Sequence, residues 1–246
     1  MRRNIVALTV AMLLAAACGR SYNTEGMNLE QVEELAEEAF RESDFRAASR
    51  LYTELMFMYP GSSRIDYYIY RLGMSEAGSR YWADALFYFD KVEREYSRSQ
   101  WSDDCAFQSA MVWWNQRQDY RKDLTPVLNC MLELDDFFAG YPGSSLIADA
   151  ENLMDEINNH LARRALFIGQ FYARRDKYSA SLIYFLEALD DYGDTDCKAE
   201  VLISLGDLYF EQDNEYAARD YYRRAMNECE LNEEQMIEVQ SKLDEL

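Results

Sequence analysis

Four segments of this chain share one spacing of small and aromatic residues. In each, a Leu or Ile precedes a small residue, a second small residue follows twelve positions later, and an aromatic ring comes four positions after that. These segments are Leu35-Ala36 with Ala48 and Tyr52, Leu72-Gly73 with Ala85 and Phe89, Ile168-Gly169 with Ser181 and Phe185, and Leu205-Gly206 with Ala218 and Tyr222. Small side chains let two antiparallel helices approach closely. The pattern therefore predicts four helix pairs, each with a ring that wedges against the next pair.

This spacing is that of a tetratricopeptide repeat (TPR), whose unit is a pair of antiparallel helices. One unit cannot bury its apolar face alone, so neighbouring units must stack, and a stack forms a groove. The chain has only 3 prolines and 10 glycines in 246 residues, and its apolar residues recur with helical period. We predict an all-α fold, a right-handed superhelical solenoid of about five TPR helix pairs with a C-terminal capping helix.

The helix pairs divide into two halves by sequence. Residues 29–145 would form an N-terminal half of three pairs, and residues 146–246 a C-terminal half of two pairs and the capping helix. The third pair contains an enlarged turn over 116–123, after which Thr125 is predicted as the N-cap and Pro126 as the first helical residue. The pattern after residue 146 leaves open whether one bent helix or two follow.

The first residues read as a secretory signal. Arg2 and Arg3 precede the uncharged, mostly apolar run 5–17, which is too short to span a bilayer as a mature helix, so residues 1–17 are predicted to be removed. The run that ends at Cys18 resembles the bacterial lipobox, in which the cysteine is lipidated. We predict lipidation of Cys18 and a lipidated tether over 18–28. The alternative is ordinary cleavage that leaves Cys18 as a thiol.

Charge excludes some partners. The chain carries 45 acidic and 25 basic residues, a formal net charge of −20, and removal of the signal would take away two arginines and no acid. This balance argues against nucleic acid, which demands clustered cations. Membrane contact is expected through the lipid anchor alone, because the acidic body would be repelled by anionic lipid. The acids of the first helix, Glu30, Glu33, Glu34, Glu37 and Glu38, are predicted to be a solvated face.

The cysteines suggest one disulfide. Cys197 would open the first helix of the last pair and Cys229 would close the second, so antiparallel packing brings them together. A disulfide is expected if their Cα atoms lie within about 6 Å. Cys130 falls at a small position of the third pair and is predicted to be buried. No spacing fits a zinc site, His160 is the one histidine, and no metal or cofactor is predicted.

Two sets of residues are candidates for partner binding. Tyr67, Tyr70 and Met74 of the second pair and Trp101 of the third would line the groove, where aromatic and methionine side chains suit extended segments. The alternative is that Tyr67 and Met74 pack against the first pair.

The second set is cationic. Arg163 and Arg174 lie at groove-facing positions within the cluster Arg163, Arg164, Arg174, Arg175 and Lys177. Arginine binds carboxylates bidentately, so these two residues are candidates to hold an acidic segment. The alternative is a solvated face balanced by Asp155, Glu156 and Asp190.

Several details resemble one family. The sequence Tyr-Pro-Gly-Ser-Ser ends a helix twice, at 59–63 and 141–145. Together with the helix start at 65–68, the enlarged turn at 119–125 and the segment 161–178, it resembles the BamD family, the outer-membrane lipoproteins of the β-barrel assembly machinery. The resemblance covers nearly the whole chain. Two further helix ends, at 96–99 and 192–193, lack the proline of the family pattern.

The resemblance implies a non-enzymatic scaffold, lipid-anchored to the outer membrane of a Gram-negative bacterium and facing the periplasm. Its C-terminal repeats would dock on the POTRA-type periplasmic domains of the barrel-forming assembly protein, and its N-terminal repeats would receive unfolded outer-membrane proteins. Other assembly lipoproteins are further expected partners. Two alternatives remain: a pilotin-like lipoprotein for secretin or pilus assembly, and an envelope hydrolase with a carboxylate pair in the groove. The sequence contains no nucleophile elbow and no phosphate loop that would favour an enzyme.

Overall fold

The computed structural model describes residues 22–246, and the predicted signal 1–17, Cys18 and the start of the tether lie outside the described residues. Within this part of the chain every regular element is an α-helix. The eleven helices of residues 22–246 are α1 Leu29–Arg41, α2 Phe45–Met58, α3 Ile65–Gly78, α4 Trp82–Glu95, α5 Ser102–Asn115, α6 Thr125–Gly140, α7 Ile147–Ala173, α8 Tyr178–Asp190, α9 Lys198–Phe210, α10 Glu215–Glu228 and α11 Glu233–Glu245. The prediction of an all-α fold built from helix pairs is confirmed.

The helices form two compact units. The first runs to Gln116 and includes Leu132–Leu146, and the second contains Arg117–Met131 and Ile147–Leu246. The sequence divided the chain at 145–146, and the last residue of the first unit is Leu146. The enlarged turn and the start of α6 group with the second unit instead, because their contacts are with α7: Arg164 donates to the carbonyl oxygens of Tyr120 and Lys122 at 2.7 and 2.8 Å.

In the first unit, glycine lets the helices of a pair meet. A Cβ atom placed on Gly73 of α3 would lie 2.6 Å from the Phe89 ring of α4, closer than any real contact allows. Phe89, Ala85 and Val92 are all fully buried, as predicted. As predicted, Phe89 shares one core cluster with Cys105 and Val112 of the next pair. Phe89 packs on the glycine of its own pair, because the missing side chain leaves a recess that the ring fills.

The second unit repeats this contact twice. A Cβ on Gly169 would lie 2.5 Å from the Phe185 ring, and one on Gly206 would lie 2.4 Å from the Tyr222 ring. The Ser181 hydroxyl, one turn before Phe185, donates to the carbonyl oxygen of Gly169 at 2.9 Å. The question left open by sequence is resolved: α7 is one continuous helix of 27 residues.

A serine closes each of three helix ends, and two of these serines also bond to the start of the pair that they follow. Ser62, Ser99 and Ser144 each follow a tyrosine by three residues, and each donates its N–H to that tyrosine's carbonyl oxygen at 2.7–3.0 Å. The Ser99 hydroxyl also donates to Asp66 at the start of α3, and the Ser144 hydroxyl to Asp103 at the start of α5. The segment 96–99 contains no proline, so the backbone bond between the tyrosine and the serine does not require one.

The prediction for the start of α6 was wrong. The helix begins at Thr125, and the first helical carbonyl to accept a bond is that of Leu124, from the N–H of Leu128 at 2.9 Å. The Thr125 hydroxyl donates instead to the Asp123 carboxylate at 2.8 Å. That carboxylate also accepts the Thr125 N–H at 3.0 Å, so Asp123 performs the capping assigned to the threonine.

The described part of the predicted tether is packed on the first unit. Tyr22 and Met27 lie against the core of the first helix pair, and the Thr24 hydroxyl donates to Glu54 of α2 at 2.7 Å. Asn28 then caps α1, accepting the N–H of Gln31 while the Gln31 side chain accepts the Asn28 N–H. Residues 22–28, called here the N-terminal segment, are therefore part of the folded body, because their two apolar side chains bury against the helices.

Helix α11 covers the end of the second unit, as predicted for a capping helix. Asn232 and Gln235 form a capping box at its start. Val239 is fully buried, and Leu243 and Leu246 pack on the same core. The remaining face is mainly charged.

We expect Gly73→Ala to destabilise the first unit by about 1–3 kcal/mol, because the added methyl group must displace a fully buried ring. Gly140→Ala is the matched control in the same unit, since nothing lies within 4 Å of a Cβ at that position. Alanine there should be neutral or stabilising by up to ~1 kcal/mol, through its higher helix propensity. Urea denaturation followed by circular dichroism measures both, and equal midpoints for the two variants would contradict the close contact.

Candidate partner-binding surfaces

The structure brings three of the predicted groove residues together. Trp101 stacks on Tyr70, with ring centroids 5.1 Å apart and planes 11° apart, and it contacts Tyr67 with centroids 5.0 Å apart. All three side chains are half-buried, as is Met74, which packs on the same core as Tyr70 and Trp101. The cluster is thus preformed, with part of each ring still exposed.

Tyr67 also contacts the first helix pair. Its hydroxyl donates to Glu37 of α1 at 2.5 Å, so the packing alternative describes this side chain correctly. Tyr67 thus packs against the first pair while part of its ring remains exposed. Beside the ring lies a recess of ~260 Å³, lined on one side by Tyr67 and Trp101 and on the other by Arg64 and Arg98.

Glu37 is the centre of a polar network that joins α1, α2 and α3. It accepts hydrogen bonds from the hydroxyls of Tyr52 at 2.6 Å and Tyr67 at 2.5 Å, and it pairs with Arg71 at 2.6 Å. The Arg71 guanidinium lies 3.6 Å from the centre of the Phe40 ring and donates to the Tyr52 hydroxyl at 3.2 Å. The cation is thus fixed between an aromatic face and a carboxylate.

The prediction that the acids of α1 form a solvated face was wrong for two of them. Glu33 accepts a hydrogen bond from the Tyr68 hydroxyl at 2.9 Å and pairs with Arg64, and Glu37 forms the network above. The spacing of these residues in the sequence could have indicated the contacts. Glu33 and Glu37 lie one turn apart on α1, and four of their five partners lie on α3 or at its N-cap, at 64, 67, 68 and 71, which is also one helical face.

The network changes the protonation of its members. Burial alone would raise the pKa of Glu37, but the hydrogen bonds from Tyr52 and Tyr67 and the charge of Arg71 outweigh it and lower the pKa below 4.5. The pKa of Tyr52 is raised, chiefly by burial and then by the hydrogen bond to Glu37. The carboxylate therefore stays ionised and the phenol stays neutral at physiological pH.

The residues of the predicted cationic cluster in the second unit do not form one site, because they contact different groups. Arg163 pairs with Asp196 at 2.6 Å, and the Arg175 guanidinium lies 3.6 Å from the centre of the Phe171 ring. Arg164 holds the enlarged turn, as described above. The partners thus differ from the acids proposed by the solvated-face alternative. Both members of the Arg163–Asp196 pair are about half exposed, so the pair itself contributes little to stability.

Arg174 lines a cavity of ~440 Å³ between α7, α8 and α9. The floor is apolar and includes Phe185 and Leu208, and the rim carries Gln170, Asp207 and Glu211. Arg163 is not among the lining residues, so the structure does not unite the two predicted arginines in one pocket. An apolar floor with mixed charges at the rim suits a folded protein surface or a peptide side chain better than a small anion.

Cys197 and Cys229 carry free thiols in the structure, and the predicted disulfide is not formed there. Their immediate neighbours in sequence do meet, since the Lys198 amine lies 3.4 Å from the Glu228 carboxylate. Burial raises the pKa of both thiols, which disfavours the reactive thiolate at neutral pH. The pairing stays a prediction for an oxidising compartment.

The carboxylates of Glu93 and Glu133 interact electrostatically and are the pair to consider for the hydrolase alternative. Burial, together with the nearby charges of Glu133, Asp90 and Asp136, raises the pKa of Glu93 to about 7. Burial also raises the pKa of Glu133. Among residues 22–246 no group of three or more His, Cys, Asp or Glu side chains is arranged to hold a metal ion.

None of the described helices is long and apolar enough to cross a bilayer. The paired helices define a helical-repeat protein. The sequence profile of the YfiO family, described as "Outer membrane lipoprotein", matches residues 27–224. The chain therefore belongs to this family.

Two relatives match over long stretches. The outer membrane protein assembly factor BamD of Pasteurella multocida is 23% identical over 225 residues, covering 87% of this chain and 86% of that protein. BamD of Caulobacter vibrioides is 22% identical over 178 residues, covering 57% of this chain and 58% of its own length. Among solved structures, a TPR protein of Bacteroides fragilis has a TM-score of 0.46 at 13% identity, covering 89% of this chain and 97% of that one.

We expect Glu37→Gln to destabilise the first unit by about 1–3 kcal/mol at pH 7, because two phenols and one guanidinium lose their anionic partner. Glu34→Gln on the exposed side of the same helix is the control for charge and should change stability by less than ~0.5 kcal/mol. Because the pKa of Glu37 is lowered on folding, its contribution is complete above pH 4.5 and is lost as the pH falls through the lower, folded-state pKa. Thermal melts from pH 7 to pH 3 should show the wild type approaching Glu37→Gln. A gap that stays constant with pH would refute this account.

We also expect Cys197 and Cys229 to pair in an oxidising compartment. Alkylation of the denatured, unreduced chain from periplasmic expression should then modify Cys105 and Cys130 and spare the pair, as read by peptide mass spectrometry. Closing this loop should raise stability by about 3 kcal/mol relative to the reduced chain. Full alkylation of Cys197 and Cys229 would show that the pair stays reduced.

Proposed function

We propose that this chain is a non-enzymatic scaffold of the β-barrel assembly (BAM) complex, lipid-anchored at Cys18 to the outer membrane and facing the periplasm. The observation that carries the proposal is the family match over residues 27–224, supported by the BamD of Pasteurella multocida along 87% of the chain. Its role is to aid the folding and insertion of outer-membrane proteins.

The proposed mechanism is positional. A lipid anchor confines the helix pairs to the periplasmic surface of the membrane and raises the local concentration of partners that are held there as well. No step of this mechanism requires bond chemistry in the protein. The half-buried aromatic cluster and the cavity at Arg174 are surfaces for binding, with apolar area and a few oriented polar groups.

The two units offer different chemistry to partners. In the first, the exposed edges of Tyr67, Tyr70 and Trp101 suit unfolded outer-membrane proteins, whose strands alternate apolar and polar residues and carry aromatic residues near the membrane interfaces. In the second, the cavity beside Arg174 suits a folded surface such as a POTRA-type domain of the barrel-forming protein. Accessory assembly lipoproteins complete the proposed set of partners, and the net charge of −20 disfavours nucleic acid.

The test is affinity purification of the tagged, full-length chain from detergent-solubilised membranes of its own host, with partners identified by mass spectrometry. Recovery of a large barrel protein with periplasmic repeat domains would support the proposal. Recovery of a secretin or pilus subunit in its place would favour the pilotin-like alternative. If neither class co-purifies above an untagged control, the proposal of a stable BAM subunit fails.

We expect Arg174→Ala to lower the yield of the barrel protein at least about fivefold, since arginines at the centre of an interface often contribute more than 1 kcal/mol. Arg94→Ala is the matched control, because Arg94 is an exposed residue of α4 that forms a surface ion pair with Asp90. Equal yields from both variants would place the docking surface away from the cavity at Arg174.

A further inference from the structure

The end of α2 exposes two large apolar side chains side by side. Phe57 is 72% exposed and Met58 is 59% exposed. They lie in an uncharged stretch, residues 55–63, although 28% of the whole chain is charged. We call Phe57 and Met58 the apolar tip. The corresponding residues at the end of α4 are the charged Arg94 and Glu95, so helix packing in this fold does not require apolar residues here.

The apolar tip lies beside the point where the chain enters the first unit. Thr24 of the N-terminal segment donates to Glu54 of α2 at 2.7 Å. Phe57 and Met58 follow Glu54 by three and four residues, which places them on the same helix face one turn further toward the end of α2. The N-terminal segment and the apolar tip thus occupy one end of the first helix pair.

The length of chain before this segment limits where the unit can sit. Cys18 precedes Tyr22 by four residues, which can span at most about 14 Å. Since residues 22–28 are packed on the unit, they do not increase the distance that the chain can span between Cys18 and the unit. An acyl chain on Cys18 would therefore hold this end of the first pair close to the bilayer surface.

From these observations we propose that the apolar tip inserts into the phospholipid surface as a second membrane contact. This inference rests on the lipidation of Cys18 proposed above. Phe and Met gain free energy at the headgroup boundary by removing apolar area from water. The stretch 55–63 can approach lipid without desolvating a carboxylate, whereas most of this acidic surface cannot. Together, the lipid anchor and the apolar tip would fix the orientation of the first helix pair against the membrane.

The decisive experiment places the photo-crosslinker p-benzoylphenylalanine at position 57 of the full-length chain, expressed in a Gram-negative host. Position 87 is the matched control, because Phe87 is 60% exposed in the same unit but lies on α4. After irradiation of intact membranes, mass spectrometry of the purified chain reads phospholipid adducts, and the mass of the N-terminal peptide reads acylation of Cys18. Circular dichroism confirms that both chains fold.

We expect an acylated chain with phospholipid adducts several-fold more abundant from position 57 than from position 87. An acylated chain with equal adducts at the two positions, with no adduct at position 57, or with protein adducts there overturns this inference and leaves the proposed function intact. A chain without acyl groups removes the lipid anchor from the proposed function and overturns this inference with it.

A second measurement isolates the apolar tip from the lipid anchor. The mature chain from residue 19, which lacks both the apolar run 5–17 and Cys18, is mixed with vesicles of phosphatidylethanolamine and phosphatidylglycerol, and the bound fraction is measured by flotation. Adding Phe57→Ser and Met58→Ser should weaken binding about tenfold, while adding Phe87→Ser should leave it unchanged. Equal binding by the parent and the Phe57/Met58 variant would count against insertion. Both substitutions are at exposed positions, so folding is preserved.

Discussion

The contact of an aromatic ring with a glycine on the neighbouring helix determines how three of the helix pairs pack. Where a side chain is missing at Gly73, Gly169 or Gly206, the ring of Phe89, Phe185 or Tyr222 fills the space to within van der Waals contact of the backbone. The interhelical distance follows from this contact, and so does the register of the two helices. Every other surface of a pair, including those that meet partners, is oriented relative to this contact.

Hydrogen bonds add to apolar packing, both at the end of a pair and between pairs. The Ser99 hydroxyl reaches back to Asp66, and the Ser144 hydroxyl reaches back to Asp103. Between the first two pairs the link is the Glu37 network, in which one carboxylate receives two phenols and one guanidinium. These polar links are directional, so they specify one arrangement of neighbouring helices where apolar contact alone would permit several.

Much of the fold could be predicted from sequence, because the spacing of small and aromatic residues is a local signal of helical period. Ala48 and Tyr52, for instance, are both fully buried in α2, at the positions that the repeat spacing assigns to the helix contact. Less of the binding surface could be predicted, because partner choice among side chains depends on distances across helices. Glu37 was assigned to solvent for this reason, and Arg163 was grouped with Arg174 although it pairs with Asp196. The capping of α6 by Asp123 was missed because Asp123 and Thr125, two positions apart, are both residue types that cap helices.

The serine at each helix end has a consequence for how such chains diverge. At 96–99 the tyrosine and serine make the same backbone bond as at 59–62 and 141–144, with no proline or glycine between them. The two middle positions are therefore free to change, while Ser99 and Ser144 are each hydrogen-bonded to an aspartate, 33 and 41 residues earlier in the chain. Covariation between distant positions, more than a fixed Pro-Gly dipeptide, would then be the mark by which remote relatives are recognised.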